Sequence, residues 1–97
     1  MKEAPQVLDL RGFLSFHILH ELKKGERCGD ELATIIGSKK GTKLTPGTIY
    51  PALKKLKKHQ LVTLKKEGRK KIYELTKKGE REYLITRKIV KNMFKGV

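Results

Sequence analysis

The stretch LTPGTIYPALKKL, residues 44–56, spaces its apolar side chains as a helix does, at Ile49, Leu53 and Leu56, yet carries Pro46, Gly47 and Pro51. Thr45 is a good N-cap. Pro46 then falls at the first helical position, where its missing N–H costs nothing. Pro51 is different, because inside a helix it removes the hydrogen bond to the carbonyl of Gly47 and crowds it, at roughly 3 kcal/mol. A glycine in the first turn lets the backbone adjust, so Pro51 is expected to widen that turn, direct Tyr50 and offer a flat apolar surface. With Ile49 at the centre of the buried face, Leu53 and Leu56 lie within about 40° of it. Gly47, Pro51, Lys54, Lys55 and Lys58 fall on the opposite side, with Tyr50 and Lys57 on one flank and Thr48 on the other. The outer face is therefore small at its N-terminal end and cationic beyond. That suits a helix whose first turns enter a major groove and whose backbone amides meet a phosphate.

Working outward, residues 9–24 repeat Leu10, Leu14, Ile18 and Leu22 every four positions, with Phe13 beside them and Asp9 as N-cap, and Gly25 follows the end. Residues 29–36 form a shorter helix on Leu32, Ile35 and Ile36. GSKKGTK is then a loop carrying Lys39, Lys40 and Lys43. After the third helix, which runs to about Lys58 or His59, LVTLKK and KKIYEL read as strands joined by a turn at Glu67-Gly68. Thr76 can cap a last helix, in which Leu84, Ile85, Ile89, Val90, Met93 and Phe94 read as one apolar stripe. The predicted order is α-α-α-β-β-α, mainly α with a small β-hairpin: a winged helix-turn-helix over residues 1–75, then a helix over 76–97. The stripe is more apolar than a body of this size needs, which points to a dimer contact.

The 97 residues carry a formal charge of +14. Its distribution says more than its size. Residues 39–71 hold twelve basic residues against the single acid Glu67, a net of +11. A concentration of this kind calls for a polyanionic partner, nucleic acid before an anionic membrane. Lys65, Lys66, Arg69, Lys70 and Lys71 surround the predicted hairpin turn. That is more cation than the protection of a strand edge requires, and it suits a wing reaching along a duplex backbone or into the minor groove. One cysteine, Cys28, excludes an intramolecular disulfide. MKEAPQVLDL has no apolar run of signal-peptide length, and nothing approaches a membrane span, so the expected compartment is the cytoplasm.

His17 and His20 are three apart on a helix, with Glu21 and Cys28 nearby, but no cluster of metal-ligand spacing surrounds them. No metal and no cofactor is expected. Neither a phosphate loop, a nucleophile elbow nor a pair of spaced carboxylates appears, so the reading is not an enzyme.

LTPGTIYPALKKL, then LV, then GRKKIYELTKKGE resembles the PadR family of winged-helix transcriptional regulators. The run Gly47 to Leu53 is the most specific part, and Tyr73-x-Leu75-Thr76-x-x-Gly79 is the second. With RGFLSFHILHEL at the start, the likeness spans about residues 9–84 and matches the small subtype with one C-terminal helix. The resemblance implies a homodimeric DNA-binding regulator, in which the third helix reads an operator, the wing touches DNA and the last helix dimerises. It places Thr48, Tyr50 and Pro51 near DNA, with Tyr50 on the phosphate backbone. Asp30 replaces an aromatic that the family often has in the second helix, which leaves a small-molecule effector open. Gln60 stands where the family has a glycine, which implies a looser turn there.

The candidate DNA-binding set is thus Lys39, Lys40, Lys43, Thr45, Gly47, Thr48, Tyr50, Pro51, Lys54, Lys55, Lys58, Lys65, Lys66, Arg69, Lys70 and Lys71. The candidate dimer contacts are Leu84, Ile85, Ile89, Val90, Met93 and Phe94. The leading expectation is a homodimeric repressor on a palindromic operator in double-stranded DNA. Two alternatives stay open: an RNA-binding or ribosome-associated winged helix, and a protein-interaction module using the last helix.

Overall fold

The computed structural model describes residues 14–39 and 41–95, with side chains as far as residue 93. In chain order the elements are α1 (Leu14–Lys24), β1 (Arg27–Cys28), α2 (Gly29–Ser38), α3 (Pro46–Lys58), β2 (Val62–Glu67), β3 (Lys70–Leu75) and α4 (Lys77–Lys95). The proposed start of the first helix at Asp9, with Leu10 and Phe13, and the loop residue Lys40 lie outside the described residues.

The core is built from the apolar positions that the helical spacing picks out. Leu14, Ile18 and Leu22 from α1, Leu32 and Ile36 from α2, and Ile49, Leu53 and Leu56 from α3 are all buried. Leu61, Val62, Tyr73 and Tyr83 complete it. The three helices share this one core, so the exposed face of α3 is set by which of its residues the others cover.

The sheet corrects the two-stranded reading. It has three antiparallel strands in the order β1-β3-β2, because Arg27 and Cys28 pair with Tyr73 and Ile72. Two residues show no periodicity, so β1 exists only because α1 delivers the chain to the free edge of β3. Cys28, Ile72 and Lys65 make one row across the sheet, and Arg27, Tyr73 and Leu64 make the next. Successive rows point to opposite faces. Tyr73 is buried, so its row faces the core and the Lys65 row faces out.

The hairpin turn lies one residue later than Glu67-Gly68. Glu67 pairs with Lys70, leaving Gly68 and Arg69 as the two-residue loop. Gly68 takes φ 62°, the positive value that the first loop position of a type II′ turn requires.

The end of α3 overturns the looser turn expected there. Gln60 adopts φ 62°, the only positive φ of a non-glycine among the described residues. Its N–H donates to Lys57 O at 2.9 Å, and Leu61 N–H donates to Leu56 O at 2.9 Å. That pair of bonds is a complete Schellman motif, with glutamine in the glycine position. The turn is as tight as glycine would make it.

The second motif of the sequence is a joint between this turn and α4. Thr76 Oγ1 donates to Gln60 O at 2.6 Å and accepts from Gly79 N–H at 2.9 Å, so Thr76 caps α4 as expected. A Cβ on Gly79 would run into Leu61 O, so backbone meets backbone there. Lys78 Nζ adds a bond to His59 O at 3.0 Å.

Candidate nucleic-acid interface

In α3, Ile49, Ala52, Leu53 and Leu56 are buried, while Pro46, Gly47, Pro51, Lys54, Lys55, Lys57 and Lys58 are exposed and Thr48 is half-buried. The helix runs unbroken through Pro51. Thr45 is the N-cap residue, but its hydroxyl does not cap; it lies 3.1 Å from Thr48 Oγ1. The first turn of α3 therefore carries two hydroxyls on its outer surface beside a bare backbone.

Gly47 differs in kind from the glycines that packing demands. A Cβ there would meet nothing closer than Thr45 Oγ1 at 3.9 Å. At Gly37, by contrast, a Cβ would collide with Thr42 O in the loop before α3. Nothing among the described residues calls for the missing side chain of Gly47, and its absence leaves room for close approach from outside.

Tyr50 is 38% exposed and lies across the start of α2. A Cβ on Gly29 would come within 2.7 Å of its ring. Tyr50, the first residues of α2 and the Arg69–Lys71 segment border a cleft of about 470 Å³. The α2 terminus, the α3 flank and the hairpin thus meet at one place, which sequence spacing alone does not show. Cys28 lies at this junction as the N-cap of α2, and its backbone N–H donates to Glu31 Oε1 at 2.9 Å. That bond holds the Glu31 carboxyl below its usual range. Tyr73, under this junction, is pushed up by burial and then by the nearby Tyr50.

The candidate cations divide into two groups. Lys54, Lys55, Lys58, Lys66, Arg69, Lys70 and Lys71 are exposed and make no ion pair among the described residues. Lys39, Lys43 and Lys65 are paired within the chain. Lys39 Nζ lies 3.2 Å from Glu21 Oε2, Lys43 Nζ 2.7 Å from Asp30 Oδ1, and Lys65 Nζ 2.8 Å from Glu26 Oε2. Glu26 raises the Lys65 ammonium above its ordinary value. The acids involved precede residue 39, so the local charge count could not reveal these pairs. Lys40 lies outside the described residues.

The α4 side chains do not form one stripe. Leu84, Ile85 and Met93 are 47%, 55% and 54% exposed. Ile89 and Val90 are half-buried, and the Phe94 side chain lies outside the described residues. The face that α4 turns to the body carries Gly79, Tyr83 and Thr86 instead. Sequence spacing does not mark Tyr83, because a lone tyrosine between Glu82 and Leu84 carries no periodic signal. It joins α4 to α1: its hydroxyl lies 2.6 Å from His20 Nδ1, and its ring stacks on Phe16 with centroids 5.4 Å apart. His20 is engaged in this joint.

The sequence matches the profile described as the transcriptional regulator PadR-like family over residues 18–84. No curated protein matches. Among solved structures, Bacillus subtilis PadR in complex with operator DNA is 31% identical, covering 72% of this chain and 44% of that one, with a TM-score of 0.63. The structure of H. salinarum RosR is 23% identical, covers 92% and 81%, and superposes with a TM-score of 0.79. A PadR family transcription regulator from Clostridium difficile R20291 is 24% identical, covers 84% and 91%, and has a TM-score of 0.74. The last two likenesses speak for the fold, and the family match spans both motifs read from residues 44–56 and 73–79. With a family match over more than half of its length and this winged-helix architecture, the chain belongs to the PadR-like family of transcriptional regulators.

Proposed function

We propose that the chain binds double-stranded DNA as a homodimer and represses transcription by occluding a palindromic operator in the cytoplasm. The observation that carries this reading is the run of unpaired cations on α3 and the hairpin, arranged around the bare Gly47 and Tyr50. In this reading Thr45, Gly47, Thr48 and Pro51 enter the major groove, where Pro51 meets a thymine methyl. Tyr50, Lys54, Lys55 and Lys58 meet phosphates, and Lys66, Arg69, Lys70 and Lys71 follow the neighbouring backbone. Lys39 and Lys43 flank the helix start, and Lys65 the wing. Leu84, Ile85 and Met93, with Ile89, Val90 and Phe94 beside them, form the contact between two copies. Two-fold symmetry sets half-sites about one helical turn apart.

The RNA alternative needs exposed rings on which to stack bases. Tyr73 is 6% exposed, which removes the sheet as a stacking platform. Among the described residues no helix is long and apolar enough to cross a membrane.

Selection of genomic fragments with the purified protein tests this reading, and a recovered palindrome is expected. Reversing Lys54 and Lys55 to glutamate should lower duplex affinity at least a hundredfold while the circular dichroism and melting curve stay close to those of the parent. A variant that binds the selected duplex as well as the parent does would reject the assignment of α3.

A further inference from the structure

Two carboxylates stand within the proposed duplex-binding face, each holding one of its lysines. Asp30, in the first turn of α2, is 2.7 Å from Lys43. Lys43 borders, with Thr45, Pro46 and Tyr50, a hollow of about 290 Å³ at the start of α3. Glu26, in the turn before β1, is 2.8 Å from Lys65 on the outward row of the sheet. β3 lies between those two strands, so Glu26 reaches across it to make the pair. Both pairs are about half exposed on the lysine side, 54% and 51%. From these placements we infer that Asp30 and Glu26 are specificity-determining residues, which keep Lys43 and Lys65 off the phosphates of non-cognate duplexes. The inference rests on the DNA reading and deepens it.

The magnitudes make the competition close. An exposed ion pair is worth at most about fivefold in an equilibrium constant. A lysine that neutralises a phosphate contributes a slope of about −0.9 in log K against log salt, or about eightfold at 0.1 M. A well-placed phosphate can therefore draw the lysine away, and a poorly placed one cannot. The carboxylate left behind then faces the duplex and repels any backbone that has not come into register. This is discrimination by a built-in repulsive element. Among the described residues, Lys54, Lys55, Lys66, Arg69, Lys70 and Lys71 have no such partner, and they supply attraction to any sequence.

The test measures binding against salt concentration for Glu26→Gln, Asp30→Asn and the double variant, on a random 30-base-pair duplex and on the selected palindrome. Each substitution should steepen the random-duplex slope by up to about 0.9 and raise that affinity by up to about fivefold at 0.1 M salt, the worth of the pair it breaks. The palindrome should gain less, so the specificity ratio falls. Glu80→Gln frees Lys23 on the α1–α4 side and controls for net charge; it should move both duplexes equally and slightly. Adding Lys43→Gln to Asp30→Asn should abolish the gain. If the parent shows no salt-dependent duplex binding, the DNA reading itself fails. If the parent binds but the amide variants keep its slope and its specificity ratio, or bind more weakly, the inference about Asp30 and Glu26 fails alone.

Discussion

Gln60 holds a left-handed backbone conformation that costs an L-residue about 1 kcal/mol, and it does so because α3 must stop within one residue to let Leu61 enter the core. Gln60→Gly should therefore raise stability by about 1 kcal/mol, read as a higher urea midpoint with an unchanged slope. Gly79 is the opposite case. Gly79→Ala places a methyl group against Leu61 O, where neither backbone can yield, and should cost about 3 kcal/mol in the same assay. A small loss there would mean that α4 can slide on the α3 turn. These two positions sit in contact through Thr76, so their effects should not simply add. Both the tolerated glutamine and the obligatory glycine belong to the fold, which separates them from Gly47.

Helix α4 presents two different faces. The inner face is held by Tyr83, Thr86 and Gly79 against α1 and the α3 turn. The outer face leaves Leu84, Ile85 and Met93 about half exposed. Because Ile85 contributes nothing to the described core, Ile85→Glu should leave the melting temperature of the isolated chain within a few degrees. In sedimentation equilibrium it should convert a dimer to a monomer, and duplex affinity should fall with it. A variant that remains a dimer would move the contact elsewhere. The helical spacing of Leu84 to Phe94 made an apolar helix legible, but not which residues face inward. Periodicity reports a stripe without reporting its partner, and the aromatic joint with His20 and Phe16 comes from α1, far away in sequence. α3 was legible in finer detail, since its buried and exposed positions both follow from one strong apolar face.

For the molecule as a whole, acid should loosen the union of α1 with its neighbours in two steps. Burial, and then Lys24, lower the His20 pKa from its ordinary 6.5. The folded state therefore resists protonation, and His20 contributes stability that is present above about pH 6.5 and lost as pH falls through that value toward the folded one. Burial alone would push the Glu21 carboxyl up, but hydrogen bonds from Lys39 and Lys24 outweigh it and hold it below 4.5. Its contribution is present above about pH 4.5 and lost below it. Urea midpoints between pH 8 and pH 3 should thus fall first below 6.5 and again below 4.5. His20→Asn should remove the upper step and spare the lower. Persistence of the upper step would show that it does not come from His20.

Local spacing encodes the helices, the hairpin and the cationic segment: apolar residues at helical intervals, β-rich runs around a glycine turn, and twelve basic residues between 39 and 71. The sequence also carries both family motifs. Contacts across the fold make Arg27 and Cys28 a third strand and let Gln60 close a full Schellman turn. Likewise, only the tertiary structure paired Lys39, Lys43 and Lys65 with acids far along the chain. Those features depend on what a residue meets across space, and no local pattern of charge or hydrophobicity records that meeting.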